Sequence, residues 1–200
     1  MNKSQQCATN GAVALDDITQ VKVDRIVELI KRDMVRVKAL NLVAKLAIPQ
    51  CYIAAGFVRN LVWDALHNLD SPTPLNDVDV IYFDPEEANP DAYIKYESQL
   101  VQQMPELNWQ VRNQAIMHGR NGDSPYKSAL DAMSYWPEKE TAIAIRQTAE
   151  SQYECIAAFG VESLLRGDIT YNPNRPREVF DDRVKSKGWL VRWPQLSVAP

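Results

Sequence analysis

The residues best suited to chemistry lie between Ala54 and Asp84, in the segment AAGFVRNLVWDALHNLDSPTPLNDVDVIYFD. Asp77 and Asp79 flank Val78 where an apolar run, Val78 to Phe83, begins. Residues two apart in a strand point the same way, so these carboxylates stand side by side. Two like charges so close are costly unless a cation sits between them. Hard oxygen ligands select Mg²⁺ or Mn²⁺, and such an ion can bridge triphosphate oxygens and stabilise the charge of phosphoryl transfer. Earlier in the segment a strand breaks at Gly56, and Arg59 and Asn60 follow at the start of a helix. A helix N-terminus presents free N–H groups and partial positive charge. Gly56 leaves room for a phosphate to approach the backbone, and Arg59 adds a forked cationic donor.

Taken alone, an Asp-x-Asp pair reads as a polar turn and a solvated strand end. The span from Asp70 to Asp91 holds seven acids and no basic residue, as a surface loop would. The order is what points to a site: strand, glycine turn, helix with Arg-Asn, loop, then a strand opening on two aspartates. An aspartyl-phosphate phosphatase reading fails on the same order, because that nucleophile ends an apolar strand, whereas Asp77 precedes one.

The elements that must position these residues can be read from periodicity. Asp17 and Gln20 resemble a capping box. Ile26, Ile30, Met34, Val37 and Leu40 then recur in steps of three and four, with Lys31, Arg32, Arg36 and Lys38 on the other faces. This predicts one long helix or two shorter ones ending before Pro49. Strands are expected over Cys51 to Ala55, Val78 to Phe83, Trp109 to Ile116, Thr141 to Thr148 and Tyr153 to Phe159. Helices are expected over Val58 to His67, after Asn89-Pro90, after Ser124-Pro125 with Tyr126, Leu130 and Met133 inward, and over Val161 to Leu165. Without a strict βαβ rhythm, the pattern implies an α+β fold with a small mixed sheet flanked by helices. Residues 1–16 are expected to be a flexible tail, residues 17–170 the domain, and residues 171–200 an irregular tail packed on it. That tail, from Arg175 to Arg192, carries six basic and three acidic residues around Phe180 and Trp189. Such a mixture can hold a nucleic acid or a triphosphate, but the simpler reading folds Trp189 and Trp193 back onto the core.

This order resembles the opening of the DNA polymerase β superfamily of nucleotidyltransferases, whose motif look-alikes include tRNA nucleotidyltransferases and bacterial poly(A) polymerases. Ala55-Gly56 stands for their double glycine, Arg59-Asn60 for Arg-Asp, and Asp77 and Asp79 for the metal-binding pair. The chain is more closely similar to a bacterial family of nucleotidyltransferase-like proteins. That likeness runs through Trp63-Asp64, Val111-Arg112-Asn113-Gln114, Met117-His118, Trp136-Pro137-Glu138, Thr141-Ala142, Phe159-Gly160, Arg183, Lys187, Trp189 and Trp193-Pro194. The resemblance implies the nucleotidyltransferase fold and a nucleotide site of Gly56, Arg59, Asn60, Asn113 and His118. His118 would serve as a general base or phosphate contact, or as a structural hydrogen-bonder. The superfamily's third carboxylate should lie on the strand after Asp79, yet Trp109 to Ile116 contains no acid. Glu138 is expected to supply it, with Glu140 as the other candidate, completing a catalytic set with Asp77 and Asp79.

Composition narrows the rest. Twenty-two basic against 26 acidic residues disfavour a general nucleic-acid coat. Three scattered cysteines without a CxxC pair disfavour disulfides and zinc, and only two histidines are present. No apolar stretch is long enough to span a membrane, and the N-terminal pattern is not that of a signal peptide, so a cytoplasmic protein is expected. Two functions remain. One is a Mg²⁺- or Mn²⁺-dependent enzyme transferring a nucleoside monophosphate from an NTP to an acceptor, whether RNA, protein or small molecule. The other is a catalytically weakened nucleotide-binding module with a regulatory or partner-binding role.

Overall fold

A computed structural model describes residues 17–199; the N-terminal tail expected over residues 1–16 lies outside the described residues. The amphipathic run resolves into two helices, α1 (Asp17–Arg32) and α2 (Met34–Ala44). Asp33 divides them: its carboxylate accepts from the N–H groups of Val35 and Arg36, capping α2. Arg36, expected on an outer face, is instead buried. It pairs with Asp33 and donates Nε to the Phe57 carbonyl at 2.8 Å, fastening α2 to the helix that carries the glycine turn.

The sheet is built from β1 (Tyr52–Ala54), β2 (Val78–Tyr82), β3 (Trp109–Asn113), β4 (Ile143–Ala149) and β5 (Gln152–Ala157), in the order β3-β2-β1-β4-β5. Only the β2–β3 pair is parallel; β1 runs antiparallel to β2 and β4, and β4 to β5. Between the strands lie α3 (Gly56–Leu66), α4 (Ala92–Gln103), α5 (Gln114–Asn121) and α6 (Ala129–Met133). After β5 come α7 (Glu162–Arg166), β6 (Asp168–Thr170), α8 (Arg177–Ser186), α9 (Trp189–Arg192) and β7 (Ser197–Ala199). β6 and β7 form a separate parallel pair. Among the described residues no helix is long and apolar enough to cross a membrane.

The two sheet faces differ, and the difference places the site. Ile53, Val78, Val80, Tyr82, Val111 and Ile145 belong to the main core, which also takes in Ile26, Ile30, Leu40, Trp63 and Leu100 from the helices. Tyr52, Ala54, Ile81 and Ala144 face the other way, against a smaller cluster holding Tyr126, Ala129 and Met133. Asp77 and Asp79 share this second face by strand alternation with Ile81. The smaller cluster leaves part of that face open.

Three expectations need correction. The third strand stops at Asn113, because Asn113 Oδ1 accepts from the Ala115 N–H and caps α5. His118 therefore rides on a helix. The helix expected after Ser124-Pro125 begins at Ala129 under a Ser128 cap, and Leu130 is 41% exposed rather than inward. Residues 171–199, read as irregular, contain two helices and a strand. Strand and helix periodicity over such short elements, broken by Pro and Gly, gives too few turns to register.

Candidate active site

Asp79 neighbours Gln110 across the parallel β2–β3 pair, while Asp77 lies at the mouth, its Oδ1 accepting from Asn108 Nδ2 at 2.6 Å. Burial, and then the like charge of Asp77, hold the Asp79 carboxyl above its ordinary range, against the pull of Arg59, Lys187 and Arg183. Both aspartates line a cavity of about 770 Å³. Gly56, Arg59 and Asn60 line it too, at the start of α3.

The turn into α3 is made by an unusual residue. Ala55 adopts φ 55° and ψ −122°, a region that an L side chain rarely occupies. Its N–H is held by the Ile143 carbonyl at 2.9 Å, and its own carbonyl accepts from Val58 and Arg59. This reversal leaves the Gly56 and Phe57 amides without an acceptor within the helix and places Gly56 on the cavity wall. A Cβ on Gly56 would stand 3.2 Å from Asn60 Nδ2 and 3.6 Å from Arg59 Nη2, so even a methyl group would crowd the polar groups gathered there.

Arg59 is fixed before any ligand arrives. Its guanidinium lies 4.9 Å from the Trp63 ring centroid and 4.7 Å from that of Trp189. Nη1 donates to Thr141 Oγ1 at 2.5 Å and Nη2 to Asn60 Oδ1 at 3.0 Å. Among the described residues it has no carboxylate partner in an ion pair. Burial pushes its pKa down to about 10, offset in part by Glu138, so it stays charged at neutral pH. The Trp189 face comes from the C-terminal segment, which also brings Arg183, Lys187 and Arg192 to the cavity wall.

The remaining expected residues stand elsewhere. Both Glu138 oxygens accept from Arg183, Oε1 from Nε at 2.5 Å and Oε2 from Nη2 at 3.2 Å, and the side chain is buried. Glu140 is also buried and accepts from the Thr170 N–H at 2.7 Å. Neither lines the cavity. Among the described residues no group of three or more His, Cys, Asp or Glu side chains is placed to hold a metal, so Glu138 is not gathered with the aspartates. Asn113 is spent on the loop after β2, donating Nδ2 to the Asp84 carbonyl and to Glu87. His118 Nδ1 faces the Ala115 carbonyl at 2.9 Å, and neither Asn113 nor His118 lines the cavity. Arg183 and Lys187, named in the sequence as part of the basic tail and of the family likeness, were not counted among the expected site residues. The signal was available: two bases four apart on a helix share a face.

Two carboxylates on one face, each a hard oxygen donor and one of them raised in pKa by burial and then by the other, suit a divalent cation whose further ligands come from a phosphate. A nucleotidyltransferase family model matches residues 41–198, nearly the whole described chain. The chain belongs to this nucleotidyltransferase family. A structure determined by NMR and described as a CCA-adding enzyme head domain is similar over 88% of this chain and 95% of its own, with 27% identity and a TM-score of 0.77. A tRNA-processing enzyme solved in a complex matches at 17% identity and a TM-score of 0.48, covering 80% of this chain and 43% of that one. An apo form of a tRNA-processing enzyme matches at 16% and 0.49, covering 80% and 44%. No curated protein matches significantly. As a member of this family the chain is an enzyme of the nucleotidyl-transfer class, with the α+β fold of a nucleotidyltransferase head domain.

Proposed function

We propose that this nucleotidyltransferase transfers a nucleoside monophosphate from an NTP to an acceptor, with release of pyrophosphate, in the cavity beside Asp77 and Asp79. The observation that carries this reading is the sharing of one cavity by the aspartate pair, the Gly56 helix start and the cations Arg59, Arg183 and Lys187. The α3 amides at Gly56 receive a phosphate, where a Cβ would intrude. Arg59, clamped between two indoles, offers donors that need no reorganisation as charge develops. Arg183 and Lys187 hold the leaving end of the triphosphate, with Glu138 keeping the Arg183 fork in place. Asp77 and Asp79 hold Mg²⁺ or Mn²⁺, which when bound neutralises triphosphate charge. Met117 and Trp136, which also line the cavity, give the base an apolar surface. An NTP substrate and free cysteines support a cytoplasmic setting; burial pushes the thiols of Cys51 and Cys155 up to about 12.

The test is incubation with α-labelled NTPs, Mg²⁺ or Mn²⁺ and a panel of RNA, protein and small-molecule acceptors. Label transfer and pyrophosphate release by the native protein, lost in Asp77→Ala and Asp79→Ala, support the enzyme. Tight NTP binding with no turnover on any acceptor would favour the binding module instead.

A further inference from the structure

On the β3 side of the aspartates the cavity wall presents Gln110, Arg112 and Gln114. Gln110 stands directly beside Asp79 in the β2–β3 register, and Arg112 beside Ile81, one step deeper on the same face. Of the residues lining the cavity, Asp77 and Asp79 are the only acids, and none is a His or Cys. The Tyr126 hydroxyl is occupied in donating to Asp123. If the aspartates hold the cation, no wall side chain is left to take a proton from a nucleophile approaching along β3. A hydroxyl acceptor must shed its proton during attack. A phosphate monoester carries none on its attacking oxygen, because its second pKa is about 6.

The charge on this side fits an anion. Arg112 is held by Glu97, which accepts from Nη1 at 2.6 Å, and lies 5.0 Å from the Tyr93 ring centroid. Both of its side-chain hydrogen bonds, to Glu97 and to the Val111 carbonyl, use Nη1, so Nε and Nη2 have no partner among the described residues. A cationic fork so anchored presents two free donors, the geometry that suits a phosphate.

We propose that the acceptor is a phosphate monoester, bound on the β3 side by Arg112 and the Gln110 amide. The proposal rests on the nucleotidyl-transfer reading and names its second substrate. In the step, an ionised phosphate oxygen forms a bond to the α-phosphorus as the bond from that phosphorus to the α–β bridging oxygen breaks. The electron pair leaves with pyrophosphate, the product holds a new P–O–P anhydride, and no proton passes to the protein.

The experiment uses the whole chain with Mg²⁺ and α-labelled ATP, CTP, GTP or UTP. Phosphate arms offer glucose 1-phosphate or a 5′-phosphorylated oligoribonucleotide with a blocked 3′ end, which separates a small-molecule source of the phosphate from an RNA terminus. Hydroxyl arms offer glucose or an unphosphorylated oligoribonucleotide with a free 3′ end. Label should enter a phosphate arm and neither hydroxyl arm. The rate should level off above about pH 6–7, where the phosphate is fully ionised. Arg112→Gln should raise KM for the phosphate acceptor about tenfold or more while NTP-induced thermal stabilisation stays unchanged. Transfer to a free hydroxyl, or silence in both phosphate arms from a protein that NTP and Mg²⁺ do stabilise, overturns the proposal. If NTP and Mg²⁺ give no stabilisation at all, the nucleotidyl-transfer reading itself fails and takes the proposal with it.

Discussion

At the residue scale, three side chains separate what the site needs from what the fold needs. Ala55 occupies a conformation suited to glycine, with φ at 55°. Ala55→Gly should therefore stabilise the protein by about 1 kcal/mol, the relieved strain outweighing glycine's extra entropy. Chemical denaturation would read this as a higher midpoint at unchanged slope. Asp79 is a second case. Its folded pKa is raised, chiefly by burial and then by Asp77, so its favourable contribution is full below the ordinary carboxylate pKa of about 3.9 and is lost as pH rises through the folded value. At neutral pH without divalent cations, Asp79→Asn should melt above the native protein, and the gap should close in acid. Mg²⁺ should raise the native melting temperature and leave the variant unmoved. Glu138 is the third. Because it forks Arg183 rather than lining the cavity, Glu138→Gln should weaken NTP binding about tenfold and spare kcat. A loss of kcat of about a hundredfold or more would instead return Glu138 to proton transfer or metal binding.

At the element scale, the glycine turn, α3 and β2 were legible in sequence because each is marked by composition: Gly56 ends one apolar run, and Asp77 opens the next. The short strand at β1 was legible for the same reason. The C-terminal elements were not. Trp189 and Trp193 read only as aromatics to be buried, which they are, packed edge-on against Trp63 with ring centroids 5.7 and 5.1 Å away. Their second use, Trp189 stacking on Arg59 and both framing the cavity, depends on contacts more than a hundred residues apart, which no local pattern encodes. Asp64 ties these parts together. It accepts from Trp193 Nε1 at 2.8 Å and from the Thr73 N–H and hydroxyl at 2.6 Å each, all within the core. Asp64→Ala would leave buried donors unpaired and should cost about 3 kcal/mol or more. Urea unfolding would measure that loss. NTP affinity should fall with it, since α9 would no longer hold Trp189 against Arg59.

At the scale of the whole molecule, an acidic chain of net charge −4 gathers Arg59, Arg112, Arg183, Lys187 and Arg192 around one cavity with two aspartates. That concentration was hidden in the sequence, because the five bases come from α3, β3 and the C-terminal segment. The sheet supplies the aspartates on its thinly covered face, the helix start supplies amides, and α8 and α9 close the ring. The central claim is that a triphosphate and its cation occupy the part of this ring formed by Gly56, Arg59, Arg183, Lys187 and the two aspartates, leaving the Arg112 side to the acceptor. A crystal structure with Mn²⁺ and an NTP analogue carrying a methylene between the α- and β-phosphorus tests it most directly. The account predicts an anomalous Mn²⁺ peak against Asp77 and Asp79, with the triphosphate reaching from Gly56 to Arg183 and Lys187. Manganese and phosphates bound away from both aspartates, with the cavity filled by water alone, would contradict it.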